Sequence, residues 1–418
     1  MKKNKIGILS LGCPRNLVDS EQILGRLQQK KYTITDIQNS DIGIVNTCSF
    51  IKEAKEESIE AILGLIELKK KGNLKKIIVY GCLPQRYKEE LIPHLKEIDA
   101  FVGRISFDDY YSECYSLTPK HYAYIKISEG CKNACSYCII PKIKGNFTSR
   151  SPDSILNQIK KIDKKGASEL NIIGQDITSY GTDLSRDSQL LDLLKQIVRI
   201  VKNIKWIRLL YTHPAHIDNN LIDFMAKESK VCKYIDLPIQ HINDKILKRM
   251  NRKVSRKEII SLIKKLKAKI PSLTIRTSVI VGFPTETEND FNELLDFIQE
   301  QRFQRLGAFM YSKEEGTAAY NFKDQIPQKI KQHRLDIIMK AQQKIASQIN
   351  KSLLNKKIEV LIDEKGSSDN IYLARTQGDA PEVDGLVYVH AKNKLKPGDF
   401  IKVRITDTYE YDLVGEQA

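Results

Sequence analysis

The chain has 418 residues, 41% of them apolar and 29% charged, and carries a formal net charge of +16. At about 150 residues per domain this length predicts two to three domains, and the composition is that of an ordered globular protein, which excludes a disordered chain. No apolar run approaches the roughly 20 residues that a transmembrane helix needs to cross a bilayer.

The opening, MKKNKIGILSLGC, imitates a basic leader, but its apolar stretch is too short for a secretory signal and no small-residue cleavage pattern follows. It reads instead as a first β-strand of a cytoplasmic protein. In that compartment eight cysteines point to metal or redox chemistry before disulfides, because the cytosol keeps thiols reduced.

The first third predicts three strands, IGILSLG (6–12), IGIVNT (42–47) and IIVYG (77–81), alternating with amphipathic helices around 19–30 and 52–71. Strands joined by helical crossovers make a doubly wound α/β domain. Each strand runs directly into a cysteine: Cys13, Cys48 and Cys82. The carboxyl ends of parallel strands open on one edge, where ligand crevices form, so the three thiols are expected to converge.

Residues 121–325 repeat the alternation with six further strands, 122–128, 169–174, 206–211, 234–239, 273–282 and 306–311, and with helices at 152–165, 187–202, 255–269 and 286–300. Six βα units predict a partial (β/α) barrel with its chemistry at the carboxyl ends of the strands. Glu129, Gln175, Asp176, Thr212, His213, Gln240, His241, Gly282 and Phe283 stand there. The histidines read as structural hydrogen-bonding groups and Tyr211 as a buried aromatic. After Pro327 a long helix reaches about 352, and the last segment, short β-runs broken by Gly, Pro and Asp, predicts a small β-barrel. The fold class is therefore α/β, with expected domains at 1–115, 120–350 and 351–418.

Just after the first barrel strand stands CKNACSYC, which places Cys131, Cys135 and Cys138 in a CxxxCxxC spacing. Thiolates favour iron–sulfur clusters or zinc, but structural zinc wants a fourth ligand and no Cys or His lies near. Three cysteines leave one iron of a [4Fe–4S] cluster open to a substrate. Cys114 and Cys232 lie outside both triads and read as packing residues.

This motif at this place resembles the radical S-adenosylmethionine superfamily. Adding Cys13, Cys48, Cys82 and the β-rich tail, the whole chain resembles the methylthiotransferases, whose tail is a TRAM-type barrel. LGCPRNLVDSE (11–21), NTCSFIKEAKEESI (46–59), YIKISEGC (124–131), LGAFMYSKEEGT (306–317) and GDAPEVDG (378–385) resemble the RimO branch; the MiaB branch, which modifies adenosine in tRNA, typically has Gln in place of Pro14. The stretch 142–152, with Asn146 and Phe147, departs from the expected pattern and carries no assigned role.

The resemblance implies two [4Fe–4S] clusters, one on Cys13, Cys48 and Cys82 and one on Cys131, Cys135 and Cys138. It implies S-adenosylmethionine as both methyl donor and source of a 5′-deoxyadenosyl radical, with Gln175, Asp176, Gly282 and Phe283 as cofactor contacts. The implied substrate is the β-carbon of an aspartate in small-subunit ribosomal protein twelve, free or in the ribosome. The electron donor is a low-potential carrier such as flavodoxin or ferredoxin, and the enzyme is expected to be monomeric. Residues 351–418 carry 10 Lys+Arg against 12 Asp+Glu, net −2, leaving +18 on the rest. That tail suits a basic protein better than tRNA.

Overall fold

The computed structural model describes residues 4–104, 114–184 and 189–418. Its first unit is a parallel sheet of β1 (Lys5–Ser10), β2 (Thr33–Ile34), β3 (Ile42–Thr47), β4 (Lys76–Gly81) and β5 (Ala100–Val102), in the order β2-β1-β3-β4-β5. This is a doubly wound order whose direction reverses between β1 and β3, and ligands of such sheets sit at the carboxyl ends beside that switch. The strands are almost wholly apolar because helices cover both faces: α1 (Pro14–Gln29), α2 (Lys52–Lys70) and α3 (Cys82–Leu91). Two differences from expectation concern ends. The two- and three-residue strands β2 and β5 are too short to show a period. Helix α1 starts at Pro14, five residues early, because proline at the first helical position is pre-organised while no Ser, Thr, Asp or Asn cap marks the start.

The second unit begins with β6 (Tyr122–Lys126). A short antiparallel pair, β7 (Ser128–Glu129) and β8 (Thr148–Ser149), then frames the cysteine loop. There follow β9 (Glu169–Ile173), β10 (Trp206–Leu209), β11 (Val231–Asp236), β12 (Thr274–Val281) and β13 (Arg305–Met310). The six long strands lie side by side in chain order, all parallel, as a partial barrel. The first two residues of the helix expected over 187–202 lie outside the described residues; the observed helix spans Leu190–Ile200. An extensive core of Ile, Leu, Val and Phe joins sheet and helices, and the long helix Gln328–Lys351 packs onto its edge.

The third unit is a closed five-stranded barrel of β14 (Lys357–Lys365), β15 (Ile371–Thr376), β16 (Val387–His390), β17 (Phe400–Thr408) and β18 (Leu413–Gln417). Its loop 376–385 enters the amino-terminal end of the partial barrel. Glu169 there bonds both Arg208 (2.8 Å) and Arg375 (2.7 Å), and Arg208 also donates to the Gln377 carbonyl at 2.7 Å. Arg305 reaches Asp379 at 2.9 Å, and the Tyr234 and Tyr122 hydroxyls donate to Asp384 (2.8 Å) and Glu382 (2.9 Å). An apolar cluster including Tyr124, Trp206, Leu361 and Ala380 seals the same end. The acids counted in the tail are thus partly internal: Asp363, Asp379 and Asp384 pair with interior arginines. They are not surface charge, so the electrostatic preference for a basic partner loses its premise. Among the described residues, no helix is long and apolar enough to cross a membrane.

Candidate active site

Cys13 lies in the turn from β1 into α1, Cys48 directly follows β3, and Cys82 is the first residue of α3. All three stand at carboxyl ends of parallel strands, two of them at helix N-termini, where the helix dipole favours a thiolate. Gly12, at φ +84°, shows how tightly the loops meet: a Cβ there would stand 2.7 Å from the Cβ of Cys48 and 3.1 Å from its sulfur. Two buried asparagines stitch the loops. Asn16 donates to the carbonyls of Leu11 and Thr47, both at 3.1 Å, with its Oδ1 4.0 Å from the Cys82 sulfur, and Asn46 donates to the Asn16 carbonyl at 2.8 Å.

Burial raises the thiol of Cys48 and pushes that of Cys82 up to about 12, with the charges of neighbouring thiols adding to both. Burial acts on Cys13 too, but the Arg15 guanidinium, 3.4 Å from its sulfur, carries it below the ordinary value. Buried Lys144 acts on all three and is itself held by Asp19 at 3.1 Å.

The second triad lies in the loop after β7, tied down on every side. Ser136 bonds the Met250 and Arg249 carbonyls at 3.0 and 2.7 Å, Asn251 donates to the Ala134 carbonyl at 2.6 Å, and Asn133 donates to Asp176 at 2.8 Å. Burial raises Cys131 and pushes Cys138 up to about 12, neighbouring thiols adding to each; Arg252 stands 3.9 Å from the Cys135 sulfur. Among the described residues no group of three or more His, Cys, Asp or Glu is gathered as a metal-ion site. The fit to clusters rests on the donor chemistry instead. Each triad offers three thiols on loops held by hydrogen bonds, beside a cation: Lys144 for the first and Arg252, 3.9 Å from the Cys135 sulfur, for the second.

The other expected contacts are placed unevenly. Asp176 is buried and takes donors from Asn133, His216 (2.8 Å), Ser179 (2.7 Å) and the Thr178 amide (3.0 Å) and hydroxyl. Although burial opposes it, these donors hold the carboxyl far below the usual range, so it anchors the cysteine loop. Gln175 is half-buried beside it. Gly282, at φ +70°, leaves room for the long helix, since a Cβ would stand 2.3 Å from the Lys331 side chain. Phe283 is fully buried, edge-on to Tyr311 at 5.3 Å, so a ligand at this turn meets its backbone and not its ring. His213 and His241 are buried, accept from the Ala215 and Asn243 amides, and are pushed down to about 3 by burial: neutral turn-closing groups. Cys232 is buried in the cluster at the barrel floor, and Cys114 lines a separate cavity of about 390 Å³. Sequence reasoning missed Arg15, Lys144 and Arg252, whose only signal is proximity to a cysteine motif.

Three sequence profiles match the chain: Uncharacterized protein family UPF0004 at residues 5–103, the radical SAM superfamily at 125–298, and the TRAM domain at 356–417. Proteins named ribosomal protein uS12 methylthiotransferase RimO are similar end to end. That of Clostridium novyi is 45% identical across 99% of this chain and 98% of its own length, and that of Clostridioides difficile 44% across the same shares. The chain belongs to the RimO family. Among solved structures, the radical S-adenosylmethionine methyltransferase TsrM of Kitasatospora setae superposes with a TM-score of 0.54 at 12% identity over 73% of each chain, which shows a shared fold alone. A RimO-family chain is a radical S-adenosylmethionine methylthiotransferase, and superfamily membership implies a [4Fe–4S] cluster and S-adenosylmethionine. In this RimO-family chain the loop at Cys131–Cys138 lies within the radical SAM match and the strand-end thiols within the amino-terminal one.

Proposed function

We propose that this enzyme methylthiolates the β-carbon of an aspartate in ribosomal protein S12, using a [4Fe–4S] cluster on each cysteine triad. The expected boundaries at 115–120 and 350–351 then separate an auxiliary-cluster domain, a radical domain and a TRAM barrel. The observation that carries the reading is that both triads occupy the carboxyl-terminal edges of two sheets, and that one residue, Arg15, touches both edges. When bound, the clusters and S-adenosylmethionine supply a carbon-centred oxidant strong enough for an unactivated C–H bond, together with a methylated sulfur.

The chain's own residues do the rest. The Asp176 network fixes the loop that presents Cys131, Cys135 and Cys138; Gln175 and the Gly282–Phe283 backbone border the same mouth and are proposed to contact S-adenosylmethionine. Buried Lys144 offsets the charge of the first triad. Lys55 and Arg86 meet buried Glu314 at 2.9 and 3.0 Å and clamp the amino-terminal sheet against the turn after β13, fixing one triad relative to the other. No general base at the carbon is required. The proposed setting is a cytoplasmic monomer fed by a flavodoxin or ferredoxin.

A tRNA adenosine substrate is the second reading, favoured by the +18 on residues 1–350. Two experiments test the auxiliary role and the substrate in turn. Replacing Cys13, Cys48 and Cys82 together by Ala is expected to abolish S12 methylthiolation while 5′-deoxyadenosine release continues and about half the iron remains. Methylthiolation of S12 at the wild-type rate would refute the auxiliary role, and loss of methylthioadenosine from tRNA in cells lacking the gene, with S12 mass unchanged, would refute the substrate.

A further inference from the structure

Arg15 leaves the first turn of α1 and crosses to the partial barrel. Its Nε donates to the Cys13 sulfur at 3.4 Å, its Nη1 donates to the Gly174 carbonyl at the end of β9 at 3.0 Å, and its guanidinium lies 4.2 Å from the centre of the Tyr211 ring past the end of β10. Lys144 acts on the thiols of the first triad and Arg252 on the second. The Arg15 charge is felt by Cys13 and Cys48 of one and by Cys138 of the other.

A guanidinium has five N–H groups. Two are spent on Cys13 and Gly174, and among the described residues no protein acceptor takes the remaining three, while the residue stays half-buried and reachable. A planar cation fixed by an aromatic ring and one carbonyl, with a spare fork of donors, suits a carboxylate.

We propose that Arg15 receives the side-chain carboxylate of the acceptor aspartate and so holds the adjacent carbon between the two triads. The proposal rests on the S12 reading and deepens it: the carbon to be modified is one bond from the group that Arg15 grips. It makes Arg15 the residue that distinguishes an acidic acceptor from its amide.

The test uses the full-length, cluster-loaded enzyme with fluorescently labelled S12, carrying either its target aspartate or an Asp→Asn change. Equilibrium binding is measured before reductant is added, and KM and kcat afterwards. Wild type should bind the aspartate form ten- to a hundredfold more tightly, the usual range for a hydrogen-bonded charge. Arg15→Gln should bring the aspartate-to-asparagine ratio close to one with iron content and 5′-deoxyadenosine release retained. Arg15→Lys, which keeps the charge but not the fork, should keep part of the preference. An unchanged ratio in Arg15→Gln overturns the proposal. Loss of iron from the first triad in both variants also overturns it, making Arg15 a holder of the cluster. A wild-type enzyme inert on both forms of S12 and active on tRNA overturns the underlying reading and this proposal with it.

Discussion

Glu169 stands at the centre of the joint between the partial barrel and the carboxyl-terminal barrel, fully buried and bonded at once to Arg208 and Arg375, which are equally buried. Replacing it by Ala leaves Arg208 with only a carbonyl acceptor, whereas Arg375 keeps Asp363 at 2.7 Å. Removing one member of a buried ion pair costs about 3–5 kcal/mol, and the surviving Asp363 contact places this case at about 3. The sole tryptophan, Trp206, reports on this joint, because its ring packs edge-on at 5.0 Å against Phe400 of the carboxyl-terminal barrel. With urea dependences of about 1–3 kcal/mol per molar, the emission midpoint of Trp206 should fall by roughly 1 M or more. The double change Glu169→Leu with Arg208→Met, which removes the acid together with the arginine it would leave unpaired, should recover part of the loss. A midpoint shift below about 0.3 M for Glu169→Ala, or a double variant worse than the single one, would refute the reasoning.

Gly12→Ala combines a left-handed backbone with a contact inside van der Waals distance of Cys48. The backbone term alone costs about 1–2 kcal/mol, and iron analysis should show selective loss from the first triad. His213 and His241 are held neutral, pushed down to about 3 against 6.5 for the unfolded chain. Their folded values are depressed, so the stability they contribute is present above pH 6.5 and lost as pH falls towards 3. The unfolding free energy from urea melts should drop between pH 6.5 and 5, by up to about 1.4 kcal/mol per pH unit for each histidine, and the double change to Gln should flatten that slope. Cys114→Ala and Cys232→Ala should leave iron content intact; loss of a full cluster from either would contradict their packing role.

Much of the architecture was legible because long apolar strands and amphipathic helices carry strong periods. All six long strands of the partial barrel and the three thiol-bearing strands of the first sheet appear within a few residues of expectation. The two- and three-residue strands β2 and β5 fell below what a period can show. The shared edge of Cys13, Cys48 and Cys82 followed from topology, since parallel strands have their carboxyl ends on one side. What sequence could not show is where long cations end up. Arg15 and Lys144 look like any other basic residues in a chain with 68 of them, and only tertiary packing brings them beside the thiols. The opposite error arose in the tail, where acids read as surface charge prove to be interior counter-ions of Arg276, Arg305 and Arg375.

The loop at 376–385 works as a cork. It stops the barrel from the end opposite the cysteines, roughly 15–20 Å away along five-residue strands, and its acids neutralise arginines that belong to the barrel wall. A chain cut after the long helix would strip Arg276 and Arg305 of Asp384 and Asp379 and bare the rings of Tyr122, Trp206 and Tyr234. A dead truncated enzyme would therefore report a barrel that has lost its floor, and would say nothing about which part of the protein grips the ribosomal partner.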